Sequence, residues 1–445
     1  MLRLVKDGPE IPLEVLAAHE AERLVFFCGA GISMDSGLPD FRGLVDHVYS
    51  ELGELRKPNE LVAEGDGRLD KVLGLLEDRT VGSKVRQIII ERLTRTSLVP
   101  LDLHEALLEL SKVQDGGCRL VTTNFDDRFC EAGLPEDSID GAPKFSVPKP
   151  DTWRSLVHLH GRIRKKTDPN GRHLVLTTSD FGTAYLTERW ASRFITELAR
   201  EFTILFIGYS VGDPVVAYMI DALAAERARG RLFQKAFAFA PYGRGVKARE
   251  QQKASWEAKG VVPILYKQGS KHPHLKLNQT ILRWASLFKG GLASRTQIAI
   301  DRAGLRPTNA DDDDARALVW ALFEPGGTVA WEFAKLHPCP PVEWLDVFDK
   351  SIIKDPHRKG APVQLFELPT PSLKDPKGVE LPFPTPLVDF GTRTTRPLPL
   401  HPTTRALGHW LARQIDDPRV LEWILAKGGF VHPEFRVLIR DSLRK

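Results

Sequence analysis

The chain has 445 residues and a formal net charge of +4, with 42% hydrophobic and 27% charged residues. This composition is typical of a soluble globular protein, and the absence of any apolar run as long as a bilayer span argues against a membrane protein. So small a net charge gives no reason by itself to expect nucleic acid or an anionic membrane as a partner.

Length and cysteine content indicate the organisation and the compartment. The length suffices for two or three domains. The N-terminus lacks the apolar core of a secretion signal, and the four cysteines are widely spaced. We therefore expect a cytoplasmic protein in a reducing environment, without a disulfide framework.

The first strong signal is an apolar run that ends in a glycine turn. Leu24–Cys28 predicts a buried parallel strand, and Gly29, Ala30 and Gly31 follow it directly. Such a turn lets backbone approach a ligand closely. Ser33 is expected to cap a helix whose first N–H groups point at the same spot, which together predicts a pyrophosphate site.

The next segment places an acid, an aromatic ring and a cation beside this turn, as Asp40, Phe41 and Arg42. The pair GAGIS and SGLPDFRG is similar to the NAD-binding signature of the sirtuin family. By the chemistry of these side chains, Phe41 would wall off the nicotinamide. Asp40 and Arg42 would fix the loop or the diphosphate.

Three later segments resemble sirtuin motifs in the same order along the chain. Residues 118–123 predict a strand that runs into Asn124, like the Thr-Gln-Asn-Ile-Asp segment of sirtuins, with Thr123 in place of the glutamine. His160 and Gly161 resemble the catalytic His-Gly. The stretch 208–214, after another strand, resembles the Gly-Thr-Ser segment, in a form closer to bacterial sirtuin-like defence effectors.

These segments assign roles to individual residues. Asn124 can bind a ribose hydroxyl or a water. His160 is the candidate general base because the ordinary pKa of imidazole lies near working pH, and it lies nearer the strand end than His158. The residues predicted to contact NAD+ are Gly29, Ala30, Gly31, Ser33, Asp40, Phe41, Arg42, Thr123, Asp126, Gly208, Ser210 and Asp213.

Strands alternate with helical patterns through the first part of the chain. This predicts an α/β domain over residues 1–290, a doubly wound parallel sheet of the Rossmann-like sirtuin type, in which the strand ends bring the four motifs to one edge. The predicted strands are 24–28, 118–123, 155–159, 174–177, 203–208, 235–240 and 262–266, and helical patterns include 69–76, 85–93 and 184–201.

Residues 291–445 predict an accessory region of a different kind, with a sensor or assembly role. Residues 338–402 are proline-rich and predicted to be irregular, and short helices are expected at 403–415, 418–427 and 433–444. Because no stop signal follows the last helix, we expect the chain to be a fragment of a longer protein or to dock on a partner there.

The chain departs from deacylating sirtuins after the His-Gly. The two Cys-x-x-Cys pairs of their zinc module are missing, so no zinc is expected and water becomes the natural acceptor. A basic run, Arg162–Lys166, leaves open a solvated loop or a contact to a partner or nucleic acid.

The resemblance implies an NAD+ hydrolase that releases nicotinamide and ADP-ribose through Asn124 and His160. It further implies an anti-phage effector that is triggered, often through oligomerisation, by a phage-derived signal or a protein partner. Two alternatives stay open: a deacylase or ADP-ribosyltransferase of the same fold, and a catalytically silent module that senses NAD+ or ADP-ribose.

Overall fold

A computed structural model describes most of the chain, namely residues 1–94, 100–164, 166–212, 216–220, 233–307, 309, 312–352, 402–414 and 416–426. The chain divides into two compact units. One runs from residue 4 to 289. The other contains residues 1–3 and the described residues from Gly290 onward.

The strands are short and mostly buried. In chain order they are β1 (Leu2–Arg3), β2 (Glu10–Ile11), β3 (Leu24–Cys28), β4 (Leu120–Thr122), β5 (Ile139–Gly141), β6 (Leu156–His158), β7 (Thr203–Ile207), β8 (Ala236–Tyr242) and β9 (Val262–Lys267). Seven of them form one sheet in the order β5-β6-β4-β3-β7-β8-β9, and all neighbours are parallel. The predicted α/β parallel sheet is confirmed.

The register of this sheet brings the ends of four strands to one edge. Cys28 of β3 lies opposite Thr122 of β4 and Ile207 of β7, and Thr122 lies opposite His158 of β6. The chain crosses from one side of β3 to the other between β6 and β7, which opens a crevice at the carboxyl ends of the strands. The residues that follow these strands therefore meet there.

Helices follow the strands in both units. They are α1 (Leu13–Glu20), α2 (Phe41–Leu52), α3 (Pro58–Gly65), α4 (Leu69–Arg79), α5 (Lys84–Leu93), α6 (Asp102–Ser111), α7 (Arg128–Glu131), α8 (Thr178–Gly182), α9 (Trp190–Glu201), α10 (Val246–Glu257), α11 (Leu275–Ala303, interrupted at Gly291), α12 (Asp313–Leu322), α13 (Thr328–Lys335), α14 (Trp344–Ile352), α15 (Pro402–Ala412) and α16 (Pro418–Ala426). Every helix in the described ranges is too short or too polar to traverse a lipid bilayer.

Two apolar clusters flank the edge where the site lies. One packs α9 against the sheet, with Val25, Phe27 and Phe206 from the strands. The other packs α2, α4 and α5 around Leu174 and Leu176. Burying side chains of this size stabilises the fold by roughly 1.5–3 kcal/mol each, which holds the strand ends in place.

The structure differs from the sequence expectations in three places. Residues 174–177 form no strand, and the pattern over 184–201 is divided into a π-helical turn (Thr183–Thr187) and α9. Residues 344–352 are helical inside the region expected to be irregular, because Trp344 and Phe348 stack in an aromatic core. The helix expected at 433–444 lies outside the described residues.

Candidate functional site

The glycine turn after β3 packs directly on the end of β7. Gly31 N–H donates to the Gly208 carbonyl at 3.0 Å. A Cβ on Gly31 would lie 2.8 Å from Gly208 Cα, and one on Gly29 would lie 2.7 Å from the Tyr209 ring. Gly208 has a φ of +78°. These glycines are thus required for contact between two backbone segments, in addition to any approach of a ligand.

Ser33 does not cap a helix, contrary to the expectation. Residues 30–32 form one 3-10 turn that ends at Ser33, and the first α-helix after the turn is α2. The Ser33 hydroxyl is buried and lies 3.2 Å from each of three groups: Asp126 Oδ2, Asn124 Nδ2 and His104 Nε2. Donating to the carboxylate and accepting from the other two satisfies the hydroxyl fully.

Asn124 is fixed by contacts at both ends. Its Nδ2 group donates to the Gly29 carbonyl and to Ser33 Oγ, each at 3.2 Å. Its backbone carbonyl accepts from His158 Nδ1 at 2.9 Å. In the described part of the chain no hydrogen bond reaches Oδ1, so the amide presents an acceptor to anything bound beside it.

His160 lies beyond the end of β6, where Gly161 turns the chain. Gly161 has a φ of +91°, and a Cβ there would lie 2.3 Å from the His173 carbonyl oxygen, so only glycine fits. The ring is almost fully buried, and Nε2 lies 2.9 Å from the Tyr185 hydroxyl. Burial lowers the pKa of His160 to about 3, well below the ordinary value for imidazole, so the ring is neutral at working pH.

Asn124 and His160 line the same cavity, of about 60 Å³. The other lining residues come from the glycine turn, α2, α5 and the loops after β4 and β6: Ala30, Ser33, Leu38, Pro39, Asp40, Phe41, Leu44, Leu93, Thr123, Phe125, Asp126, Val175 and Phe181. This volume holds a few water molecules and is well below that of a typical small-molecule pocket.

Several predicted contact residues have other partners. Asp40 lines the cavity, but its Oδ1 caps α2 by accepting from Gly43 N–H at 2.7 Å. Arg42 is exposed and pairs with Glu64 at 2.8 Å, so it does not reach the cavity. Ser210 is exposed. Asp213 lies outside the described residues.

Asp126 is the one carboxyl group buried in the lining of this cavity. Burial raises its pKa to about 6, while the Arg128 backbone N–H and the Ser33 hydroxyl partly offset that effect. The carboxyl group therefore titrates close to neutral pH and can exchange a proton where the network meets the cavity.

Three buried imidazoles make the fold sensitive to acid. Burial lowers the pKa of His104 and His158 to about 4 and that of His160 to about 3, from an ordinary 6.5. Their contribution to stability is present above pH 6.5 and is lost as the pH falls from 6.5, because the unfolded chain then binds more protons. Asp126, raised from 3.8 to about 6, opposes this, since its contribution is lost as the pH rises through about 6.

We therefore expect the free energy of unfolding to decrease on acidification below pH 6.5, by on the order of 2 kcal/mol per pH unit near pH 5, since three imidazoles outweigh one carboxyl. Urea titrations at a series of pH values would measure the slope. A stability that is constant or rises as the pH falls to about 5 would contradict the assignment of neutral, buried histidines.

Arg162 does not belong to a solvated basic loop. It is buried, with ion pairs to Asp127 and Glu136 and a contact of 3.2 Å from Nη2 to Cys130 Sγ.

The cysteines at 28, 118, 130 and 339 are free. Within the described ranges, no three His, Cys, Asp or Glu side chains are grouped so that they could hold a metal ion.

Sequence reasoning missed three aromatic residues at the site. Tyr185 lies within residues 184–201, which the sequence predicts as one helical stretch. Phe181 lies in α8, before that stretch, and lines the cavity. The Tyr209 hydroxyl bonds Thr123 Oγ1 at 2.7 Å and the Cys28 carbonyl at 3.0 Å. Its place directly after Gly208 was visible in the motif, but its inward direction was not.

Comparison with known proteins gives one family match and several relatives. The model of the SIR2-like domain matches residues 119–264. "Uncharacterized protein y4cA" of Sinorhizobium fredii is 32% identical over 333 residues, 72% of this chain and 27% of that protein. "Defense-associated sirtuin 2" of Bacillus subtilis is 25% identical over 48% of this chain and 20% of its own length.

"NAD(+) hydrolase ThsA" of Bacillus cereus is 24% identical over 45% of this chain and 40% of its own length. The aligned parts thus span between a fifth and two fifths of these curated relatives. A solved structure titled "Structural Basis for the Mechanism and Regulation of Sir2 Enzymes" aligns with 63% of this chain and 98% of its own, at 16% identity and a TM-score of 0.31.

Proposed function

Because this chain carries a SIR2-like domain, we propose that it hydrolyses NAD+ to nicotinamide and ADP-ribose. The observation that carries the proposal is the meeting of Asn124 and His160 on one cavity beside the glycine turn. Two relatives, at 24% and 25% identity, are named for NAD+ hydrolysis and for defence. We infer a defence role for this chain from those names.

The reaction breaks the bond between ribose C1′ and the nicotinamide nitrogen. The bonding electrons leave with nicotinamide, and positive charge develops on the ribose as in other glycosyl transfers. Water then bonds to C1′ and loses a proton. Asn124 Oδ1 would accept a hydrogen bond from a ribose hydroxyl or from that water, and the neutral His160 imidazole would accept the proton.

The size of the cavity supports a gated enzyme. A cavity of about 60 Å³ is smaller than a dinucleotide, so the lining would have to move for NAD+ to bind within it. Its large apolar side chains include Phe41 of α2, Leu93 of α5 and Phe181 of α8. We infer that a trigger opens the site, through assembly of copies of the chain or through a partner of the residues beyond 290.

The direct test incubates the full chain with NAD+ and follows nicotinamide and ADP-ribose by chromatography. We expect His160→Gln to reduce turnover by about 100-fold or more, since a general base contributes that much. His272→Gln, on an exposed histidine, is the matched control. Equal, measurable rates of nicotinamide release for His160→Gln and the parent would refute the role of His160.

The products and the binding data separate the alternatives. Transfer of an acyl group from a peptide to ADP-ribose would indicate a deacylase, and transfer of ADP-ribose to a protein would indicate a transferase. Calorimetry that detects tight NAD+ binding, with no turnover under any trigger, would indicate a sensing module.

A further inference from the structure

The imidazole of His160 has one polar partner among the described residues, the hydroxyl of Tyr185. The distance from His160 Nε2 to the hydroxyl oxygen is 2.9 Å. His160 is 1% exposed and Tyr185 is 4% exposed. No hydrogen bond within the described ranges reaches Nδ1. A hydrogen bond between two groups shielded from water fixes the orientation of a ring more strongly than an exposed one.

Tyr185 itself is held in place by an unusual piece of backbone. It lies in the π-helical turn Thr183–Thr187, a conformation found mostly as single turns and often at functional sites. Its carbonyl accepts from the Ser192 hydroxyl at 3.1 Å, which ties the turn to α9. Its ring lies nearly parallel to Phe181, with centroids 6.0 Å apart. The hydroxyl is thus presented to His160 from a fixed position.

The direction of the hydrogen bond decides which nitrogen can act as a base. A neutral imidazole carries one N–H. If Nε2–H donates to the Tyr185 oxygen, the lone pair is on Nδ1, which has no protein partner in the described ranges. If the Tyr185 hydroxyl donates to Nε2, Nδ1 carries the hydrogen and neither nitrogen can accept a proton from water.

We propose that Tyr185 is a positioning residue for His160: it accepts from Nε2–H and leaves the Nδ1 lone pair to take the proton of the attacking water. This inference rests on the proposed hydrolysis. As the water oxygen bonds to C1′, its O–H bond breaks and the proton moves to Nδ1. The imidazolium then keeps its Nε2–H bond to the Tyr185 oxygen.

The kinetic test is Tyr185→Phe, which removes the hydroxyl and keeps the ring that packs on Phe181. We expect kcat for nicotinamide release to fall about 10-fold, with KM for NAD+ within about twofold, because the tautomer and the ring orientation are lost while the binding surface remains. A thermal melt within a few degrees of the parent would confirm that the variant folds.

Tyr218→Phe is the matched control. Tyr218 stacks on Phe181 at 4.7 Å in the same aromatic group, but its hydroxyl faces Arg68 and Asp70. We expect its kcat to equal that of the parent. A kcat for Tyr185→Phe equal to that of Tyr218→Phe would overturn the proposal.

A second readout needs no turnover. Nitrogen-15 labelling of histidine reports the tautomer of each ring by NMR, and the signal missing from His160→Gln identifies His160. We expect the Nε2–H tautomer in the parent and a shift toward a mixture of tautomers in Tyr185→Phe. An Nδ1–H tautomer in the parent would overturn the proposal. A chain that binds NAD+ tightly and releases no nicotinamide under any trigger, but shows the expected tautomers, would refute the hydrolysis and support the Tyr185 contact.

Discussion

Replacing Asn124 with alanine is expected to lower the rate of nicotinamide release at least about 100-fold, with a smaller change in NAD+ affinity. Both amide hydrogens of Asn124 are donated in hydrogen bonds, to the Gly29 carbonyl and to Ser33 Oγ. The fold therefore fixes the orientation of Oδ1, and no side-chain entropy is lost in orienting it during the reaction. An acceptor fixed in this way acts most strongly where the ribose hydroxyl or water becomes more acidic.

Single-turnover and steady-state rates of nicotinamide release would measure the effect. Asn59→Ala, on an exposed asparagine in α3, is the matched control and should behave as the parent. Because the alanine variant also leaves Ser33 with one partner fewer, its melting temperature must be recorded alongside. A folded Asn124→Ala variant with the parent's rate would exclude Asn124 from the chemistry.

The second large effect is expected from Gly208→Ala, which should decrease the free energy of unfolding by roughly 2–4 kcal/mol. Gly208 has a φ of +78°, and its added Cβ would lie 2.8 Å from Ile32 N and 2.9 Å from the Gly29 carbonyl oxygen. These contacts are with backbone atoms, so no side chain can rotate away. The glycine turn would have to move, and the acceptor of the Asn124 amide would move with it.

Gly212→Ala is the control for that variant. Gly212 belongs to the same loop, but no atom of the described residues lies within 4 Å of its Cβ position. Thermal or urea unfolding of both variants would measure the difference. Equal stability of the two would contradict the packing of the glycine turn on the end of β7.

The resemblance to a SIR2-like domain and the sheet could be predicted from sequence because each rests on short, local patterns. The four motifs follow apolar strands, and the predicted resemblance to sirtuins is confirmed by the SIR2-like match. Parallel strands with a common register bring Asn124 and His160 to one edge, so their meeting at a cavity follows from topology alone. Their roles in the reaction stay predictions.

What could not be predicted depends on contacts between distant segments. Ser33 looks like a helix cap, yet its hydroxyl is used by Asp126, Asn124 and His104, which lie about 70 to 90 positions further on. Arg42 belongs to the segment SGLPDFRG, but its side chain pairs with the carboxylate of Glu64, which lies on the neighbouring helix α3. Neither partner is visible in a local pattern.

The pKa of His160 illustrates the same limit in energetic terms. A sequence gives the residue type, and its ordinary pKa suits a base near neutrality. Burial removes water from the ring of His160 and lowers its pKa to about 3. The imidazole is therefore unprotonated at neutral pH, and it is a weaker base than an exposed histidine. Activity should then persist into mildly acidic buffer, until unfolding intervenes.

The narrowness of the cavity also has a kinetic consequence. If side chains must part before a dinucleotide fits into about 60 Å³, encounter with NAD+ and productive binding become separate events. The observed rate of binding should then level off as the NAD+ concentration rises, at the rate at which the lining opens, and the apparent association rate constant should lie far below the diffusional ceiling.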